Sequence, residues 1–298
     1  KSLIIYTLVR YYNLMNLKTL ILVPTTSLVE QMYSDFIDYG WEDKHMHRVY
    51  AGMDKGSTKP VVISTWQSLY KLHRKYFEQY GCIIGDEAHL FKAKSLTDIM
   101  VRSGDCKFRF GLTGTLDGTQ THRLVLEGLF GQVKKIISTK ELIDRGTLAM
   151  LEIDCIVLKH TEEECKRVRK YTYAEELNYI VSHTKRNEFI EKLCKTIKGN
   201  TLVLFQLVDK HGVPLYNKIK TLDKKVFFVY GGTTAETREK IRAIVEKEKD
   251  SLIIASYGTF STGINIRNIN NVVFSSPSKS RIRVLQSIGR GLRTSKTK

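Results

Sequence analysis

The chain has 298 residues, 42% hydrophobic and 27% charged, a profile that suits two folded domains and excludes a disordered chain. Its 48 Lys+Arg against 31 Asp+Glu leave a net charge of +17. No apolar run approaches the roughly 18 residues of a membrane span, which argues against an integral membrane protein. Five scattered cysteines (Cys82, Cys106, Cys155, Cys165, Cys194) form no Cys-x-x-Cys pair. They argue against a disulfide scaffold or a zinc ribbon and suit a reducing cytosol.

In chain order, Lys1-Ser2 stands before Leu3–Val9, an apolar run compatible with a helix. Short apolar runs bounded by polar residues follow at Leu20–Val23, Val61–Ser64, Cys82–Gly85 and Phe108–Leu112, as in strands buried on both faces of a parallel sheet. Between them, Ser27–Tyr39 places Leu28, Met32 and Phe36 on one helical face. A strand-like stretch at Ile153–Leu158, interrupted by Asp154, leads into charged helical segments at Thr161–Ser182 and Lys185–Lys198. Strand runs then restart at Leu202–Phe205, Val226–Val229, Leu252–Ala255 and Val272–Phe274. A helix is expected over Ala235–Lys247, with Thr233 and Glu236 at capping-box spacing. The alternation predicts two doubly wound α/β layers joined near residues 135–160.

Charge is uneven along the chain. Residues 1–150 hold 20 basic and 15 acidic side chains, whereas residues 151–298 hold 28 and 16. From Ser251 onward there are eight Lys/Arg and no acid. Such asymmetry points to a polyanion, although charge alone does not choose among nucleic acid, nucleotide and acidic membrane.

Asp86-Glu87-Ala88-His89 directly follows the apolar run Cys82–Gly85. Ligands of open parallel sheets bind at the carboxyl ends of strands, so both acids are expected at a site. Asp86 suits Mg²⁺ held largely through water, and Glu87 suits the orientation and deprotonation of an attacking water. Lys1-Ser2 reads as the end of a Gly-Lys-Ser phosphate loop, with Lys1 on phosphate oxygens and Ser2 on Mg²⁺.

With these residues in order, the chain resembles the DEAH-containing helicases and translocases of superfamily 2. Pro24–Gln31, Ser64–Leu69 and Thr113-Gly114-Thr115 resemble the family's motif Ia, its next strand-end motif and its motif III. Leu202–Gln206, Tyr257–Asn265 and Gln286-Ser287-Ile288-Gly289-Arg290-Gly291-Leu292-Arg293 resemble motifs IV, V and VI.

The resemblance implies an α/β fold of two RecA-like domains, each a mostly parallel sheet flanked by helices. Their expected extents are 1–137, beginning inside the phosphate loop, and 138–298, with a charged helical lead-in. It implies ATP and Mg²⁺ as cofactors, with ATP hydrolysed between the two domains. Lys1, Ser2, Asp86, Glu87, Gln286 and Gly263 would bind the nucleotide, and Asp86, Glu87, Arg290 and Arg293 would carry the catalysis. Arg290 and Arg293, spaced i and i+3, are expected on one helical face as arginine fingers. His89, Thr113 and Thr115 would couple the nucleotide to the nucleic acid. Pro24, Thr25, Ser64, Thr65, Gln67 and Thr259 would contact its sugar–phosphate backbone, whereas Trp66 reads as packing.

The implied activity is ATP-dependent unwinding or remodelling of branched DNA at forks, recombination junctions and R-loops. The implied partners are single-stranded and branched DNA and RNA–DNA hybrids, with no membrane and action as a monomer. An RNA helicase, and a nucleic-acid-binding scaffold with a degenerate ATPase, remain as alternatives. Without the loop glycines and any adenine-reading segment, the chain as given is expected to bind ATP poorly.

Overall fold

A computed structural model describes residues 1–91, 93–116, 118–259 and 266–294. The chain divides into two compact units, Lys1–Lys135 and Ile136–Lys298. Among the described residues, no helix is long and apolar enough to cross a membrane.

The first unit holds strands β1 (Thr19–Val23), β2 (Met46–Val49), β3 (Val61–Thr65), β4 (Cys82–Asp86) and β5 (Phe108–Leu112). They form a parallel sheet in the order β2-β3-β1-β4-β5. Its helices are α1 (Ser2–Leu14), α2 (Thr26–Asp38), α3 (Trp66–Leu69), α4 (Arg74–Phe77), α5 (Lys94–Arg102) and α6 (Gln120–Phe130). Alternate residues of the central strands face opposite layers. Leu20, Leu22, Val62 and Ile83 pack with Leu96 and Ile99 of α5 and Leu126 of α6. Ile21, Val23, Ile63 and Ile84 pack with Ile5 and Val9 of α1 and Met32 and Phe36 of α2. Each such fully buried aliphatic or aromatic side chain contributes about 1.5–3 kcal/mol of transfer free energy, which is why these runs are apolar without interruption.

The second unit opens with α7 (Thr139–Asp144), α8 (Glu162–Val168), α9 (Tyr173–Ser182) and α10 (Thr184–Thr196). Strands β6 (Thr201–Phe205), β7 (Lys225–Val229), β8 (Ser251–Ser256) and β9 (Asn271–Phe274) form a second parallel sheet, ordered β7-β8-β6-β9. Helices α11 (Val213–Ile219), α12 (Ala235–Val245) and α13 (Arg281–Gly291) complete it. Val203, Phe205 and Ile254 pack with Ile190 of α10 and Leu215 of α11, and Leu204, Ile253 and Val229 with Ile241 and Val245 of α12.

Three local expectations are corrected, and one strand was missed. Ile153–Leu158 is irregular rather than a strand, and Ile153 and Val157 stand 71% and 76% exposed. The segment and β9 both line a cavity of about 930 Å³. Alternation signals the ability to pair, and Glu152 and Asp154 leave this stretch one acidic face. Thr161–Ser182 is two helices, because Thr172 caps α9 in a second capping box with Glu175. The cap of α12 is Thr234, which accepts from the Thr237 N–H, while the Thr233 hydroxyl accepts from the Tyr230 N–H. Strand β2 was not expected, since half-exposed His47 and Arg48 dilute its apolar signal on the sheet edge.

Candidate active site

Parallel strands with helical crossovers place their carboxyl ends on one edge of the sheet. In the first unit that edge carries the turn after β1 (Pro24-Thr25), the β3 end (Ser64-Thr65), the β4 end (Asp86-Glu87) and Thr113 after β5. The rings of Phe91 and Phe130 can lie directly on strand β4 because Gly85 has no side chain. A Cβ there would sit 2.6 Å from Phe91 Cζ, too near for any real carbon.

Asp86 is 6% exposed, and its Oδ1 accepts from the Glu87 N–H at 2.9 Å. Glu87 lies in the left-handed region at φ 50°, ψ 50°, a conformation that costs a non-glycine residue on the order of 1 kcal/mol or more. The strain turns its carboxylate back over the sheet edge, where Lys1 and His89 hold it. Lys1 Nζ is 2.9 Å from Asp86 Oδ1 and also donates to Glu87 Oε1. His89 Nδ1 is 3.3 Å from Glu87 Oε2 and 3.0 Å from Thr113 Oγ1. Thr113 then donates to the Thr115 carbonyl at 2.9 Å. One contiguous polar chain therefore runs Lys1, Asp86/Glu87, His89, Thr113, Thr115.

The electrostatics follow from that packing. Burial opposes ionisation of Glu87, but the His89 hydrogen bond and the Lys1 charge outweigh it and pull the carboxyl down to about 2. Burial likewise opposes the charge on Lys1, and the Asp86 and Glu87 carboxylates overcome it and raise its pKa. A carboxylate so acidic is a poor proton acceptor while Lys1 remains on it. If Lys1 moves to phosphate oxygens, it also frees Glu87 to act as a base.

Lys1 reaches the carboxylates and Ser2 does not. The Ser2 hydroxyl lies 3.0 Å from the Tyr39 hydroxyl. The hard-oxygen donors for Mg²⁺ at this edge are thus Asp86 and Glu87. That set is sufficient in kind, because Mg²⁺ keeps several waters and needs few protein oxygens.

The hydroxyls expected on a nucleic-acid backbone are largely engaged. Ser64 is wholly buried, and its hydroxyl donates to the Val49 carbonyl at 3.1 Å, so its side chain presents nothing to a ligand. Thr65 and Ser68 share a hydrogen bond of 2.9 Å, and Thr25 caps α2 by accepting from the Leu28 N–H. Pro24 is buried, and its carbonyl accepts from Gln67 at 3.3 Å. Gln67 itself is exposed and remains the most available of the group.

In the second unit, Thr259 is buried with its hydroxyl 2.8 Å from Ser256 Oγ. Gly263 lies outside the described residues. Gln286 and Arg290 are half-buried residues of α13, which Ser280 caps through the Arg283 N–H. Arg293 does not share their helix. The helix ends at Gly291, and Arg293 forms an antiparallel bridge with Leu148 while the Ala149 N–H donates to Leu292 at 2.8 Å. Burial lowers the Arg293 pKa, nearby Arg267 adds to this, and Glu246 opposes it.

Sequence reasoning missed a buried network at the carboxyl edge of the second sheet. His211 Nδ1 lies 2.9 Å from Ser276 Oγ, and the Tyr257 hydroxyl donates to the Ser276 carbonyl at 2.7 Å. Arg186 donates to the Ser275 carbonyl at 2.6 Å. Burial, with the Arg186 charge, lowers His211 to about 4, so the ring is neutral at pH 7. The sequence signal was present as the polar pair Ser275-Ser276 directly beyond strand β9.

Residues 1–118 match the family described as the res subunit of type III restriction enzymes, and residues 184–295 match the helicase conserved C-terminal domain. The chain is 38% identical over 303 aligned residues to the ATP-dependent DNA helicase uvsW of enterobacteria phage T4, covering 98% of this chain and 60% of that protein. It thus spans less than two thirds of that relative. In fold it is similar to the ATP-dependent type ISP restriction-modification enzyme LlaBIII bound to DNA, with a TM-score of 0.64 at 16% identity, covering 95% of this chain and 24% of that one. It is also similar to the Hef helicase domain of Pyrococcus furiosus, with a TM-score of 0.57 at 13% identity, covering 92% and 84%.

Proposed function

We propose that this chain, which matches the res-subunit and helicase C-terminal families in its two parts and is 38% identical to phage T4 UvsW over 98% of its own length, serves an ATP-driven DNA helicase or translocase acting on branched DNA. The single observation that carries the proposal is the polar chain from Lys1 through Asp86/Glu87 and His89 to Thr113. It joins a phosphate-seeking cation to a carboxylate pair, and the pair to a relay leading along the sheet edge.

In this reading Lys1 leaves the carboxylates for the β/γ-phosphate oxygens of ATP. Glu87 then orients the attacking water and accepts its proton, while His89 holds the carboxylate in place. Mg²⁺, held by Asp86 largely through water, would supply charge neutralisation on the phosphate oxygens. Arg290 and Arg293 stabilise the charge that spreads over the transferring phosphoryl group. Gln286 and Gly263 contribute to nucleotide binding. His89, Thr113 and Thr115 report the state of the nucleotide to the strand-end loops. Gln67, Thr25 and backbone N–H groups of those loops hold DNA phosphates without reading sequence. The basic second half supplies the long-range attraction.

The proposed substrates are single-stranded and branched DNA, including R-loops, handled by a monomer in the cytoplasm of an infected bacterial cell. The test compares ATP turnover of the longest available form of the protein with single-stranded DNA, forked DNA and RNA. Stimulation greatest with forked DNA is the expected result. Equal or greater stimulation by RNA would transfer the reading to an RNA helicase, and no stimulation by any of them would leave only a binding scaffold.

A further inference from the structure

The lead-in of the second unit gathers three side chains of metal-ligating type that the ATPase chemistry does not use. His160 stands just before α8, Glu164 in its first turn and His183 at the start of α10. Among the described residues, one ligand atom from each lies within 4.8 Å of the other two. His160 Nδ1 is 3.7 Å from Glu164 Oε2, and His183 Nε2 is 3.3 Å from Glu164 Oε1. The two imidazole rings meet edge-to-face with centroids 4.8 Å apart. We propose that His160, Glu164 and His183 form a binding site for a divalent transition ion of the zinc class, with a fourth position open to water.

The local structure orients two of the three side chains. Glu164 is the third residue of a capping box, so its Oε2 accepts from the Thr161 N–H at 3.0 Å and hydroxyl at 3.1 Å. That bonding fixes the carboxylate and leaves Oε1 directed at His183. His183 caps α10 by accepting from the Arg186 N–H at 3.3 Å through Nδ1, which turns Nε2 towards Glu164. Because Nδ1 accepts that bond, the Nε2 of the ion-free ring carries a proton directed at Glu164. An ion takes the place of that proton, which moves to Nδ1, and the cap on Arg186 is released. Tyr179 walls the site, with its ring centroid 5.5 Å from that of His183 and 6.1 Å from that of His160. Arg167 lies over the Tyr179 ring at 5.4 Å and is a cation the ion must tolerate.

Two imidazoles and one carboxylate select zinc-class ions, whereas Mg²⁺ prefers oxygen donors alone. The site is therefore chemically separate from Asp86 and Glu87. Tetrahedral ligand atoms about 2.0–2.2 Å from zinc lie roughly 3.4 Å apart, close to the 3.3 Å between His183 Nε2 and Glu164 Oε1, and the set as a whole spans at most 4.8 Å. Ligation would tie residue 160, the end of the irregular 151–160 segment, to the helix that backs the second sheet.

Chelator-stripped chain is titrated with Co²⁺ and then Zn²⁺, without nucleotide, following visible d–d absorption and thermal midpoint. One tightly held Co²⁺ with tetrahedral bands, displaced by Zn²⁺ and not by excess Mg²⁺, is the expected result. Glu164→Gln retains a capping-box residue, and His183→Asn retains a helix cap. Each should weaken Co²⁺ binding by at least about tenfold with unchanged circular dichroism. His160→Gln, on the irregular segment, gives the same reading should either helix variant misfold. Wild-type bands and affinity in these variants would overturn the proposal, as would a wild-type chain that binds no Co²⁺ equivalent.

Discussion

At the carboxyl edge of the first sheet, ionisable groups face one another: Lys1 against Asp86 and Glu87, and Glu87 against His89. At the same edge of the second sheet buried polar groups bond mainly to backbone carbonyls and hydroxyls: His211 on Ser276, Tyr257 on the Ser276 carbonyl, Thr259 on Ser256, with Arg186 on the Ser275 carbonyl. Both edges descend from one architecture, so the difference lies in what the strand ends deliver. A strained, partly open, charged cluster can exchange partners when a phosphate arrives. A buried network bonded to its own strand-end carbonyls loses those bonds if it exchanges partners, and it therefore suits a framework. On the proposed reading, chemistry belongs to the first edge and rigidity to the second, with the arginines beyond Ser280 as the second unit's contribution to turnover.

The largest expected effect tests that last clause. Arg290→Ala should reduce DNA-stimulated ATP turnover by about 10³-fold or more, the lower range for arginine fingers, with little change in DNA affinity measured without nucleotide. Turnover that survives while DNA affinity collapses would make Arg290 a DNA contact and leave all the chemistry on the first sheet. Arg293, held in the bridge to Leu148 rather than on the helix, should show the same direction of effect.

Next in size is the first edge itself. Glu87→Gln keeps the side chain's volume and removes its basicity, so turnover should fall by about 10²–10⁴-fold while ATP and DNA binding persist. The same substitution probes the cluster's electrostatics. Because Glu87 is held at about 2, below an ordinary carboxyl, its ionised form stabilises the fold above pH 4.5 and that contribution disappears as pH falls towards 2. The glutamine variant should therefore lose less stability than wild type across that acidic interval, as read by urea unfolding at stepped pH.

The second edge should respond to stability probes. His211 is depressed to about 4, so between pH 6.5 and 4 the unfolded chain takes up a proton that the folded chain refuses. Stability from this residue is complete above pH 6.5 and declines by up to about 1.4 kcal/mol per pH unit below it. His211→Gln should flatten that decline and leave turnover per folded molecule unchanged. A turnover defect larger than the folding defect would break the division between a working edge and a framework edge.

How much of this was legible in sequence depended on where each signal lives. Strands β1, β4, β6 and β8 are buried along their whole length, so uninterrupted apolar runs disclosed them within a residue or two. Asp86 and Glu87 were legible because two acids after such a run have no place in a core. The hydroxyl groups were not. Ser64, Thr65 and Thr259 satisfy neighbouring carbonyls or hydroxyls, and no spacing rule tells an inward hydroxyl from an outward one. Arg293 was misplaced for a related reason: i and i+3 spacing assumes an unbroken helix, and α13 ends at Gly291. The His160–Glu164–His183 group escaped notice because His183 lies 19 residues beyond Glu164, a separation that only the packing of α8, α9 and α10 closes.

The smallest expected effects concern DNA binding, and they separate side chains that hold the loops from those that touch the ligand. With phosphate contacts dominant, binding should ignore base sequence and weaken steeply with salt. Each neutralised phosphate contributes about −0.9 to the log–log slope on duplex and about −0.7 on single strands, so roughly four to six contacts give slopes near −3 to −5. Ser64→Ala should leave that slope unaltered, because the Ser64 hydroxyl already serves the Val49 carbonyl inside the sheet. Its cost should appear in folding, at about 1 kcal/mol for a lost internal hydrogen bond. Gln67→Ala removes an exposed side chain at the same edge and should weaken DNA binding several-fold with little loss of stability. Titrating both variants on labelled forks across a salt series, beside urea unfolding, reads affinity and stability independently. A weakened affinity in Ser64→Ala at unchanged stability would mean that the β3 end opens when DNA binds. A flat salt response in wild type would remove phosphate contacts from the account altogether.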